Sequence, residues 1–110
     1  MDEWLLSQWH EELNRKCFDS VLPPVTFYIG LSRDPDCKDE NYMALYNPDT
    51  IGRGTIFINP AHVKDIPTAR ACLAHEMIHQ WQDLCGLRLD HRAVFQAWCD
   101  HITQKTGLVP

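Results

Sequence analysis

The sequence predicts an α+β domain in which one helix, three short strands and two further helices pack as helices on a small sheet. Three observations carry this. An apolar stripe at helical spacing opens the chain. Three short β-type segments bounded by turn residues occupy its middle, and two helical stretches without internal breakers close it. At 110 residues the chain is expected to form one domain, 1–110, with enough length for a single core.

Leu5, Leu6, Trp9, Leu13 and Cys17 recur at helical spacing, so a helix is expected from about Asp2 to Phe18. Val25-Thr26-Phe27-Tyr28-Ile29-Gly30-Leu31 alternates and reads as the first strand. Ser32 to Asn41 is a polar loop. Tyr42–Tyr46 and Thr55–Asn59 are the other two strands, with Asn47-Pro48-Asp49-Thr50 and Gly52-Arg53-Gly54 supplying turns between them. The next helix begins near Pro67, a residue suited to a first turn, with Asp65 or Thr68 as its cap. It runs to a left-handed stop at Gly86. Leu73, Met77, Trp81 and Leu84 form one face of it and Ala71, Ala74, Ile78 and Cys85 a flank, so it belongs in the core. The last helix is expected from His91 to about Lys105, capped by Asp90, with His91, Val94, Phe95, Trp98 and Ile102 turned inward.

That core helix carries His75-Glu76-Met77-Ile78-His79. Two histidines four apart lie one turn above the other on one helix face, where both imidazoles can grip one metal ion. A glutamate directly after the first can take a proton from a water at that ion. Burying such groups unpaired is costly, and a metal removes the cost. The pattern implies a zinc-dependent hydrolase, most often a peptidase. The alternative is a set of helix-surface or hydrogen-bonded core residues without metal.

A catalytic zinc takes three protein ligands and keeps a position for water. No glutamate follows Glu76, which leaves Asp83, Asp90, His91, Asp100 and His101 downstream. Asp83 lies another helical turn beyond His79, too far along to share the ion. Four extended residues, Leu87 to Asp90, at about 3.3 Å each can return the roughly 10 Å of helix rise from His79 to Gly86. His91 is therefore better placed, while His101 competes if the two helices pack as a tight antiparallel pair. Cys72, three residues before His75, is a further thiol that can approach the ion.

The motif, followed by His91-x-x-x-Phe95-x-x-Trp98, resembles the active-site half of SprT-like metallopeptidase domains. Asn14-x-x-x-Phe18-x-x-x-Leu22-Pro23-x-Val25 resembles the family's opening helix and its step into the first strand. Ile56-Phe57-Ile58-Asn59-Pro60 resembles the strand before the active-site helix. The resemblance spans about Leu5 to Trp98. It implies a zincin-like fold, Zn2+ as cofactor, His75, His79 and His91 as metal ligands and Glu76 as general base. Residues 1–110 contain no Cys-x-x-Cys pair, so the likeness is to a minimal form without the family's C-terminal zinc ribbon.

The leading expectation is a zinc metallopeptidase acting on proteins or peptides. A non-catalytic zinc domain serving a structural or partner-binding role is the second reading, although a purely structural site needs no base at position 76. A nucleic-acid-associated protease acting on DNA-bound proteins is the third. Net charge is −5 and the basic residues are scattered, with only Arg15-Lys16 adjacent, so composition provides no footprint for a nucleic acid. No stretch approaches the ~20 apolar residues of a membrane span. Met1-Asp2-Glu3-Trp4 lacks the basic start of a secretory signal, which points to the cytoplasm. Cys17, Cys37, Cys72, Cys85 and Cys99 lack metal-type spacing and read as reduced, mostly buried residues. His10 and His62 read as surface histidines. Trp4, Trp9, Trp81 and Trp98 read as packing residues, and Tyr42, Tyr46, Arg53 and Arg92 as donors available to an oxyanion by residue type alone.

Overall fold

A computed structural model describes residues 1–31 and 42–110. The expected polar loop Ser32–Asn41 lies outside them. The order of elements is α1 (Glu3–Cys17), β1 (Thr26–Ile29), β2 (Ala44–Thr50), β3 (Arg53–Ile58), α2 (Ile66–Leu84) and α3 (Ala93–Thr106). This is the α+β arrangement that the patterning predicts: three helices and a three-stranded sheet among the described residues.

In α1 the Asp2 carboxylate accepts from Leu5 N at 2.8 Å, and Leu6, Trp9, Leu13 and Cys17 face the core. Asn14 ties the following turn, donating to Leu22 O at 2.9 Å and accepting from Leu22 N at 3.1 Å. Trp4, expected to pack, is 69 % exposed, because it falls on the solvent side of the stripe.

The sheet order is β1-β3-β2, with β3 in the centre, parallel to β1 and antiparallel to β2. The second strand differs from expectation. It continues through Asn47-Pro48-Asp49-Thr50, which reads as a turn in the sequence. The pairings Asn47↔Thr55 and Thr50↔Arg53 leave an extra residue on β2, a bulge that contains Pro48. An edge strand tolerates a proline there, since its missing N–H removes no ladder bond. The true turn shrinks to Ile51-Gly52, with Gly52 at φ 71°.

Helix α2 starts as expected, with Asp65 Oδ1 accepting from Thr68 N at 2.8 Å and Pro67 in the first turn. Gly86, at φ 71°, ends it in a complete Schellman motif: Leu87 N donates to Gln82 O at 2.8 Å and Gly86 N to Asp83 O at 3.0 Å. Leu73, Met77 and Ile78 are fully buried with Leu6, Leu13, Ile56, Ile58 and Ile102. Helix α3 starts at Ala93 rather than His91. Arg92 holds the cap position, and Asp90 instead accepts from Arg92 N at 3.1 Å to shape the turn before the helix. The inward face of α3 is Phe95, Trp98 and Ile102, whereas Val94 is exposed. Trp98 stacks on Phe18 at 4.5 Å between centroids and meets Trp81 at 5.0 Å, which locks α3 between α1 and α2. Cys17, Cys72, Cys85 and Cys99 are free thiols, and Cys85 is exposed rather than buried. No helix among the described residues is long and apolar enough to cross a membrane.

Candidate metal centre

Helix α2 buries four hydrogen-bonding or ionisable side chains besides its apolar face: Glu76, His79, Gln80 and Gln82. Each needs a partner in the interior. Gln80 finds three. Its Oε1 meets His10 Nε2 at 2.8 Å, and its Nε2 donates to Pro23 O at 2.7 Å and Gly52 O at 2.8 Å. His10 is thus a buried residue and not the surface histidine that its helix position suggests; Gln80 draws it inward. Burial lowers its pKa, against a smaller opposing effect of the Gln80 bond.

His75 and His79 project one turn apart from α2, and the irregular segment Leu87–Asp90 returns the chain to place His91 against both. His91 Nε2 lies 3.1 Å from His75 Nε2 and 3.2 Å from His79 Nε2. Ligand atoms of the three histidines all fall within 4.8 Å of one another, which makes the group able to hold a metal ion. Phe95 forms an apolar floor, its ring centroid 4.7 Å from His75, 5.0 Å from His79 and 4.7 Å from His91.

The hydrogen-bond chemistry tests whether a cation fits. Gln82 Nε2 donates to Asp90 O at 3.1 Å, so its Oε1, 2.8 Å from His79 Nδ1, must accept. His79 therefore carries its proton on Nδ1 and turns the Nε2 lone pair toward the other histidines. A single proton on His91 Nε2 cannot serve both neighbours, so at least one nitrogen–nitrogen contact lacks a hydrogen. Three ligand atoms around a tetrahedral ion sit about 3.3 Å apart when each bond is about 2.0 Å. The two spacings to His91 match that value, and three imidazoles without a carboxylate suit a first-row divalent metal. Gln82, which orients His79 and ties down the loop carrying His91, has no recognisable motif; only its position three residues after His79 hints at it.

Glu76 is 5 % exposed and lies between the sheet and the histidines. Its Oε1 accepts from Tyr46 N at 2.9 Å, and its Oε2 is 3.8 Å from His75 Nε2. Burial raises its carboxyl to about 8, partly offset by the Tyr46 N–H bond. Burial, then the neighbouring His79 and His91, lowers His75 to about 4, while the Pro110 backbone works in the opposite direction. His79 is likewise lowered by burial against the Gln82 bond.

The remaining candidates lie elsewhere. His101 Nε2 bonds Cys17 O at 3.0 Å, so the tilt of α3 takes it to α1 and away from the cluster. Asp83 accepts from Tyr46 Oη at 2.6 Å and Gly52 N at 2.9 Å, which bolts the β2–β3 hairpin to α2. Tyr46 Oη also accepts from Gly54 N at 3.1 Å and is committed to that structural knot. Burial and the adjacent Asp83 raise its pKa. Arg53 and Arg92 are exposed, at the start of β3 and at the α3 cap, as is His62. Cys72 is not one of the clustered ligands; it lines the cleft beside them. Comparison with known protein families, curated proteins and solved structures finds no match for the chain.

Proposed function

We propose that the domain is a zinc-dependent metallopeptidase of the zincin type, resembling a minimal SprT-like domain, that hydrolyses peptide bonds with Glu76 as general base. One observation carries this reading. Three Nε2 atoms converge on one point, while Glu76 Oε1 is pinned to the sheet edge and Oε2 is left toward the same space. A structural zinc site has no use for a buried carboxylate held in that manner.

His75, His79 and His91 would hold the ion, which supplies Lewis acidity for the scissile carbonyl and a water of lowered pKa. Opposite charge at the histidines favours the carboxylate form of Glu76 and opposes the effect of its burial. Glu76 Oε2 then takes a proton from the attacking water and returns it to the departing amine nitrogen. Tyr46 N–H keeps Oε1 fixed, so the carboxylate does not reorganise during that transfer. Tyr46 is accordingly a positioning residue through its backbone.

Glu76→Gln tests the assignment, because Gln keeps an acceptor for Tyr46 N and removes the base. The variant is expected to bind one zinc per chain like the wild type and to cleave an unfolded protein substrate at least about 100-fold more slowly. Cleavage at the wild-type rate by the zinc-loaded variant would overturn Glu76 as base.

A further inference from the structure

A cleft of about 700 Å³ opens beside His75 and Glu76, a size that suits a bound ligand. One wall is the first half of α2, with Pro67, Ala71 and Cys72. A second is β2, with Met43 and Ala44. The third is the segment after α3, with Leu108, Val109 and Pro110.

Strand β2 is an edge among the described residues. Asn59 N donates to Met43 O, and Leu45 pairs with Phe57, so odd-numbered residues here face the β3 ladder. Antiparallel pairing alternates, so the backbone groups of Ala44 and Tyr46 face outward. The Tyr46 N–H to Glu76 bond is the direct sign of this. Ala44, which lines the cleft, thereby presents its N–H and C=O to an extended peptide laid along the edge.

The third wall is built, not loose. Gly107, at φ 78°, turns the chain off α3. Thr103 Oγ1 donates to Leu108 O at 2.7 Å, and Leu108 N donates to Thr106 Oγ1 at 3.1 Å. Leu108 packs against the core, and the Pro110 backbone interacts with the His75 imidazole. Apart from His75 and Glu76, the described lining contains no charged side chain, and only Thr68 and Cys72 are polar.

We infer that Leu108–Pro110 is a specificity-determining wall that selects a large apolar side chain, of the size of Leu, Met or Phe, next to the scissile bond of an extended peptide. Backbone pairing along β2 accepts any sequence, so discrimination falls to this wall. The cleavage preference rests on the peptidase reading; the binding preference rests on the cleft alone.

Two measurements on the zinc-loaded full chain separate them. Wild type is given a peptide set with Leu, Lys or Asp placed at each position in turn, and cleavage is mapped by mass spectrometry. The Glu76→Gln chain is titrated with the same peptides by fluorescence anisotropy. Burying one such side chain sets the expected preference for Leu at one position flanking the metal at about ten- to a hundredfold over Asp or Lys. Val109→Asp, at a position 75 % exposed and outside the core, should shift that preference toward Lys by about tenfold. Equal binding of all three peptides by the Glu76→Gln chain overturns the inference even if wild type cleaves them. So does a preference that Val109→Asp leaves unchanged. If wild type cleaves none of them, the peptidase reading falls, and the binding preference still decides the role of the wall.

Discussion

Gln82 is 1 % exposed and holds two parts of the candidate metal centre at once. Its Oε1 fixes the tautomer and ring plane of His79, and its Nε2 ties the carbonyl of Asp90, the residue before His91. Gln82→Met keeps the length of the side chain and removes both bonds. The His79 bond is buried, so Nδ1–H is left without a partner there, and the part-buried Asp90 C=O loses its tie to α2, a cost of about 1–3 kcal/mol in stability. Losing the support of a ligand costs about 10–100-fold in metal affinity, or about 1.4–2.8 kcal/mol. Zinc affinity should be read by competition with a chromophoric chelator, beside urea unfolding of the metal-free protein. Gln80→Met is the control: it is equally buried, bonds His10, Pro23 and Gly52, and touches no ligand. It should lose similar stability and keep zinc affinity within about twofold. A Gln82→Met protein that folds and binds zinc as tightly as wild type would refute the argument that this side chain orients the site.

His91→Ala should reduce zinc content and affinity, whereas His101→Ala should retain the ion and lose only the bond to Cys17 O; elemental analysis of both variants decides between them. Gly54→Ala would place a Cβ 2.1 Å from Asn47 O, a backbone atom that cannot swing aside, and should cost about 1–3 kcal/mol or more, read as a lowered Tm. His10 should make the metal-free protein lose stability as pH falls below about 6.5, the ordinary histidine value. The folded state holds His10 at a lowered pKa, so the unfolded chain binds the extra proton first, and the His10 contribution is fully present only above that pH. His10→Gln should flatten this slope in urea titrations between pH 7 and 5, and an unchanged slope would remove His10 as a source.

The parts of the site that share one helix were legible in the sequence. A fixed helical repeat places His75, Glu76 and His79 on α2 whatever surrounds it, and Asp65, Pro67 and Gly86 mark its ends by local chemistry. The choice between His91 and His101 was less so, because it depends on the path of Leu87–Asp90 and the tilt of α3. Trp98, seated between Phe18 and Trp81, sets that tilt and sends His101 to Cys17. Pro48 read as a turn because local propensity does not register that an edge strand spares its N–H. His10 read as exposed because its partner Gln80 lies seventy residues away.

By itself the sequence determined the helix that bears the candidate site, the two histidines and glutamate on it, and the apolar pattern that packs this helix into the core. Each of these follows from spacing along one element, where backbone geometry converts sequence distance into spatial distance. Tertiary structure alone decided which remote histidine completes the cluster, that Tyr46 N–H restrains Glu76, and that Gln82 braces His79 and the loop before His91. It also decided that the segment after α3 walls the cleft. These are contacts between elements, and their partners are chosen by how the core packs rather than by any local rule.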